Sequence, residues 1–348
     1  MSETKQNTGY LSMSKQETAV MKGIAICAML CHHLYTCPEN IGEGIVPYTG
    51  VLAWLGILGK VCVALFLFCS GYGLAATYKQ GAFIDNLKFI GRRLVKFYLN
   101  YWVIFLIFVP ITIFAFHRPL SAAYGENGVW WHLVLDIFGM QGWQSYNITW
   151  WFNTLIILLY LLFPLLYRAI RWKPWLAVLV GMVVMRLSSH VPFDTMDVCI
   201  WQFPFVLGVV WKLNEHKGIR IQKWLVAHRW AAILGALCLL VITIIIRMYP
   251  IIPHWGGWRI DGFVTCAVAL CVITILRSSE SFMAMFAFLG KHSINIYMIH
   301  TFFNGYWYPE WLHSCEWLRG GGELCYSYAN MPYCKFGNRI YERKDRIL

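Results

Sequence analysis

Charge is scarce in this sequence. Charged residues make up 13% of the 348, and only 17 are acidic, whereas a water-soluble domain has about a quarter of its residues charged. That deficit excludes an ordinary soluble enzyme. The ten-residue segments of alternating hydrophobicity that mark a membrane β-barrel are also missing. Lipid tolerates only helices or closed barrels, because each backbone group must find its partner within the protein. There is no CxxC pair and no HExxH, which removes the usual zinc frameworks. No repeat of 20–50 residues and no separate soluble domain interrupts the chain. The first apolar run is not followed by a small-residue cleavage site, so it reads as a retained span rather than a removed leader.

What the chain has in abundance is apolar length. Hydrophobic residues reach 59%, in runs of about 20, the length that crosses a ~30 Å hydrocarbon core. The expected fold is an all-α integral membrane protein, a polytopic helical bundle with nine to ten transmembrane helices. Nine segments read as spans: 18–37, 54–77, 97–116, 150–167, 174–188, 198–213, 229–248, 258–276 and 285–305. A shorter apolar piece at 130–140 carries Asp136. Treating it as non-crossing puts Lys79, Lys88, Arg92, Arg93 and Lys96 on the same side as Arg168, Arg171 and Lys173, and as Lys212, Lys217, Arg220 and Lys223. The side chosen is the cytoplasm, with the N-terminus inside the cell membrane. The net charge of +12 is therefore a topology signal, and nucleic acid is not an expected partner. Eight of the twelve cysteines lie inside apolar runs, where thiols behave as small hydrophobes.

The expected organisation is a cytoplasmic segment over 1–16, a transmembrane domain over 17–305 and a polar tail over 306–348. The tail breaks the pattern of the spans before it. One permissible back-translation, read one base later, gives an apolar span with a basic flank. The tail thus reads either as an ordinary extracytoplasmic extension or as a frameshifted product in place of a last helix.

Ionisable groups inside spans are functional candidates by default. Lys22 and His33 are eleven residues apart, three helical turns plus about 20°, and so lie on one face ~16 Å apart. A cation at one end of that face and a titratable imidazole at the other suit a path joining two compartments. Lys22 could equally snorkel to headgroups, and His33 could be a hydrogen-bonded interfacial histidine. His32 points about 100° away and reads as structural. Lys60, near the outer end of the second span, reads mainly as a snorkelling residue that could approach the outer site. Neither His32, His33 and Cys37 nor the tail cysteines have metal-ligand spacing, so no metal is expected.

These residues carry a family resemblance. Lys22-x10-His33 resembles the Arg-x10-His signature of the first helix in the membrane-bound acyltransferase family 3, with Lys in place of Arg. VALFLFCSGYGLA (63–75) is similar to that family's second helix ending in Ser-Gly-aromatic, and RRLVK (92–96) to its basic Arg-Arg-x-x-Arg. WWFNTLIILLYLLFPLL (150–166) and LGKHSINIYMIH (289–300) resemble a Trp-rich span and a late Gly-Lys-x-Ser-x-x-x-Tyr-x-x-His helix. The resemblance covers about residues 17–305, and the family's ten spans agree with a missing last one.

The resemblance implies an O-acyltransferase. Acetyl, or another acyl group, would pass from cytoplasmic acyl-CoA to a hydroxyl of an extracytoplasmic glycan, glycolipid or small molecule, in the manner of cell-envelope polysaccharide modification. Arg92, Arg93 and Lys96 would then hold the phosphates of acetyl-CoA, in addition to marking a positive-inside loop. His33 is the catalytic candidate, as general base or transient acyl carrier. Lys22 would position an oxygen, without the bidentate fork that arginine offers, and His300 would supply a second polar wall. Ser70 has no visible base and reads as packing or capping. A transporter or flippase for a glycan precursor could use the same charged face, although such folds tend to show repeats and paired broken helices.

Overall fold

The computed structural model describes residues 10–35, 50–191, 193–249 and 257–307. Every element among them is helical: α1 (Lys15–Tyr35), α2 (Gly50–Gly59), α3 (Cys62–Thr77), α4 (Phe83–Phe114), α5 (Ser121–Tyr124), α6 (Val129–Ile137), α7 (Trp151–Trp172), α8 (Pro174–Leu187), α9 (Phe193–Asn214), α10 (Ile219–Ala227), α11 (Arg229–Met248), α12 (Asp261–Thr274), α13 (Glu280–Lys291) and α14 (Ser293–Thr301). Short 3₁₀ turns link several of them. The tail reading, frameshifted or not, lies outside the described residues.

Six helical stretches are long and apolar enough to cross a membrane: Lys15–Tyr35, Ala53–Thr77, Phe83–Phe114, Ile148–Trp172, Arg229–Met248 and Gly257–Ser278. The pair formed by α13 and the helix through Trp307 makes a seventh if its 58° bend is counted within one span. The all-helical architecture with membrane-length spans is as expected, whereas the count of nine to ten is not confirmed among the described residues. Helix α8 has 14 residues, about 21 Å at 1.5 Å per residue, and is short for a span. The outer surface is apolar where lipid would lie: Leu106, Leu165, Leu179, Leu234 and Val241 are exposed, while Trp130, Trp172, Trp175 and Trp230 stand out near helix ends, as in an aromatic belt.

Helix α1 begins at a reciprocal cap. The Ser14 N–H donates to Glu17 Oε2 at 2.7 Å and the Glu17 N–H to Ser14 Oγ at 3.1 Å, satisfying two donors of the first turn. Arg277, beyond α12, pairs with the same Glu17 and donates to the Tyr10 and Ser12 carbonyls. Helix α13 then packs backbone to backbone on α1. A Cβ on Gly290 would lie 1.8 Å from the Ala19 carbonyl oxygen, and one on Gly23 would lie 2.0 Å from that of Phe286. Helices α3 and α9 meet the same way through Gly71 and Gly208. Such small-residue seams are how helices approach closely in lipid, where no hydrophobic force draws them together.

The basic loops gather at one end of the bundle. Tyr72 donates to buried Glu215 at 2.6 Å, Lys212 pairs with the same carboxylate, and Ser12 donates to it at 3.2 Å. Arg93 donates to Thr77, and Arg171 donates to Gln80 at 3.0 Å. The opposite end holds α5, α6 and the turns before α7. Helix α6 has nine residues, about 14 Å, too short to cross. Its Asp136 is fully buried and accepts from Tyr124 Oη at 2.8 Å, Tyr101 Oη at 3.2 Å and the Tyr146 N–H at 2.6 Å.

Candidate active site

Both ends of the charged face on α1 meet chemistry from other helices. At the far end from the basic loops, the His33 ring lies 4.9 Å, centroid to centroid, from the ring of His300, tilted by 46°. The 58° bend at His292 makes this possible: α13 follows the first half of α1 along its glycine seam, and the helix then turns to deliver His300 to the second half. His32 joins the same cluster, its ring 5.1 Å from that of His33 in an edge-on contact and its Nδ1 2.9 Å from the Gly56 carbonyl.

His300 is buried and held from both nitrogens. Nδ1 lies 2.8 Å from the Tyr297 carbonyl, which can only accept, so this nitrogen carries a proton. Nε2 lies 3.2 Å from Thr301 Oγ1, which lies 3.2 Å from Thr149 Oγ1, and Thr149 donates to Asn147 Oδ1 at 2.8 Å. A hydroxyl has one proton to give. Thr149 gives its own to Asn147, so every contact in the chain is a hydrogen bond only when Nε2 donates to Thr301 and Thr301 to Thr149. The chain thus fixes the orientation of the His300 ring. Tyr297 reinforces it by donating to the Thr149 carbonyl at 2.7 Å.

Between the two ends, α3 supplies a distinctive stripe. Most of its residues are buried, but Val63, Phe66, Ser70, Gly73 and Thr77 are partly or fully exposed at spacings of three and four, which places them on one face. That face does not look to lipid. Phe66 meets Phe152 of α7 at 6.3 Å, Ser70 is hydrogen-bonded to Tyr160 of α7, and Thr77 accepts from Arg93 of α4. The stripe therefore borders space between helices running from the basic end toward the histidines. Lys22 acts electrostatically on Cys69, whose Sγ faces the Thr18 carbonyl of α1, so the lysine lies near the seam of α1 and α3. Phe152 also packs on Tyr297 at 5.6 Å, forming an aromatic waist below the imidazoles. An apolar groove of about 330 Å³, bordered by Leu30, Leu34, Ile299 and Phe303, also reaches His300 from the side.

The basic trio divides. Arg93 turns inward, onto Thr77 and over the Phe89 ring at 5.4 Å, while Arg92 and Lys96 are exposed. Ser70 has a hydroxyl partner in Tyr160 rather than a base. Sequence reasoning passed over Tyr160, Thr149, Thr301 and Asn147. Tyr160 stands in the quoted Trp-rich span, but nothing in the spacing marks the two threonines. Among the described residues, no cluster of three or more metal-ligating side chains occurs.

The family model described as an acyltransferase domain matches residues 19–318, a stretch that includes both ends of this face. The chain belongs to the acyltransferase 3 family. A curated relative, the acyltransferase MdmB of Streptomyces mycarofaciens, is 25% identical over 228 residues, a match covering 56% of this chain and 56% of that protein. The match thus spans little more than half the length of that relative. No solved structure matches the chain.

Proposed function

We propose that this acyltransferase-family protein is an integral-membrane O-acyltransferase that carries an acyl group, acetyl in the simplest case, from cytoplasmic acyl-CoA to a hydroxyl of an extracytoplasmic acceptor, with carbohydrate the favoured class. The basic end of the bundle is assigned to the cytoplasm by the positive-inside rule. The N-terminus then lies inside, and nine helical segments, with α13 and α14 as the last, cross the cell membrane. Arg93, with Arg92 and Lys96 around it, takes the phosphates of the donor, and its thioester arm follows the α3 stripe past Lys22. Acyl-CoA is here a substrate, and no resident metal is invoked.

The observation that carries the reading is the buried pair of His33 and His300, backed by a hydroxyl chain, at the end of the face that starts from Lys22. His33 removes the acceptor hydroxyl proton as the oxygen attacks the thioester carbonyl. An ester C–O bond forms, the C–S bond breaks, and the leaving thiolate takes up the proton that His33 removed. His300, anchored through Tyr297 and Thr301, packs on the His33 ring and keeps it oriented. The family membership favours this over a glycan-precursor transporter, and among the described residues only one bent helix pair occurs, not the two that inverted repeats supply.

The test is vesicle-reconstituted protein with labelled acetyl-CoA on the cytoplasmic face. Label that appears on an outside acceptor and vanishes in His33→Ala supports the reading. Transfer that survives the substitution moves the base elsewhere, and transport of an unmodified glycan without label sinks it. Label trapped on the wild-type protein would make His33 an acyl carrier rather than a base.

A further inference from the structure

At the histidine end, four side chains from distant parts of the chain converge. Lys60, at the break between α2 and α3, places its Nζ 5.5 Å from the centre of the Trp258 ring and 6.0 Å from that of Trp143. Trp143 is fixed in place: it stacks on Trp151 at 4.7 Å and 10°, and its indole N–H donates to Asp197, which also accepts from Trp201 at 3.2 Å. Trp258 has a buried indole N–H with no acceptor among the described residues. Lys60, Trp143 and Trp258 each remain partly exposed. Gly59, the residue before Lys60, packs on α1 against the Ala28 carbonyl and the His32 backbone, so the group of side chains lies at the histidine end of α1.

Indole faces, an ammonium with three donors and an unpaired indole N–H together suit one ligand chemistry. A pyranose ring has an apolar C–H face, which lies against an aromatic plane, and a rim of hydroxyls that accept from such donors. A cationic ligand would be repelled by Lys60, and a purely apolar one would leave both donors unsatisfied.

We propose that Trp143, Trp258 and Lys60, with Asp197 holding Trp143 in place, form the subsite that seats the acceptor's sugar ring and presents one of its hydroxyls to His33. This rests on the acyltransferase reading for its purpose but not for its test. Trp258 supplies an N–H to a ring or hydroxyl oxygen, and Lys60 bonds a second hydroxyl.

The experiment uses the full chain in detergent and follows tryptophan emission on adding methyl glucoside and methyl galactoside. Trp258→Phe retains an aromatic ring and removes the N–H, whereas Lys60→Met retains the stem and removes the charge. Saturable quenching by at least one glycoside is expected, with affinity at least tenfold weaker in both variants and binding of CoA unchanged. No quenching by either glycoside, or wild-type affinity retained in either variant, overturns the subsite. Glycoside binding that both variants weaken, in a protein that transfers no acyl group, keeps the subsite and refutes the enzyme. Acyl transfer to a sugar with the same acceptor KM in wild type and both variants keeps the enzyme and refutes the subsite.

Discussion

His33 and His300 face each other with ring centroids 4.9 Å apart, one from the first helix and the other from the last described one. The helix that carries His300 is bent by 58° from α13 at His292. A general base typically contributes a factor of about 10²–10⁴. His33→Ala is therefore expected to lower acyl transfer by at least about 10²-fold, with unchanged helical circular dichroism. His300→Asn, which retains a hydrogen-bonding side chain, is expected to lose less. Parallel measurement of kcat for the two variants checks the order, and a larger loss at His300 would exchange their roles.

The hydroxyl chain behind His300 makes a separate prediction. Thr149→Val keeps the shape and removes the link between Thr301 and Asn147, so the His300 ring loses part of the support that holds it against His33. We expect kcat to fall by about one order of magnitude, a loss of about 1.4 kcal/mol, with KM for both substrates nearly unchanged. Thr149→Ser is expected to restore the rate. A variant that alters KM and leaves kcat alone would show that Thr149 shapes the binding site instead.

How much of this was legible beforehand depends on the kind of signal. Lys22 and His33 were legible because helical spacing alone aligns them, and a charge in an apolar run stands out without any partner. The family motifs placed His300 at the right end, but its distance from His33 follows from a bend that no residue announces, since neither proline nor glycine occupies position 292. Arg92, Arg93 and Lys96, alike in the sequence, differ in their surroundings. Consecutive positions on a helix point about 100° apart, so Arg93 meets Thr77 while its neighbour stays exposed. Lys60 read as a snorkelling side chain because the tryptophans that frame it, Trp143 and Trp258, are remote in sequence. The two threonines were invisible for a similar reason: a hydroxyl becomes part of a relay only through what lies within 3.2 Å of it.

The glycine seam between α1 and α13 is a stability prediction with consequences for the site. At Gly290 an added methyl would fall 1.8 Å from the Ala19 carbonyl oxygen, and backbone cannot yield as a flexible side chain would. Overpacking of this kind costs about 1–3 kcal/mol or more. Gly290→Ala is expected to lower the Tm in detergent and to reduce transfer, because α13 sets the origin from which His300 is delivered. Gly235→Ala is the control: nothing lies within 4 Å of the added carbon, and its Tm should match that of the unaltered chain. Equal melting of the two variants would show that the seam is looser than the structure has it.

Asp136 supplies the pH dependence. It lies on the short non-crossing helix, and burial raises its carboxyl from 3.8 to about 6, against the opposing pull of the Tyr146 N–H and the Tyr124 hydroxyl. The folded state therefore holds a proton that the unfolded chain has already released. Stability from this group is complete below pH 3.8 and is lost as the pH rises through about 6, at about 1.4 kcal/mol per unit of difference. Asp136→Asn cannot ionise, so this decline between pH 4 and 6 is expected to disappear from its melting curve. The same variant should be less stable at neutral pH, since the amide nitrogen that replaces one carboxylate oxygen cannot accept from the donors facing that oxygen. A Tm series over pH 4–7 for both proteins decides it: parallel curves would mean that Asp136 does not titrate in this range and that its three donors keep it ionised throughout.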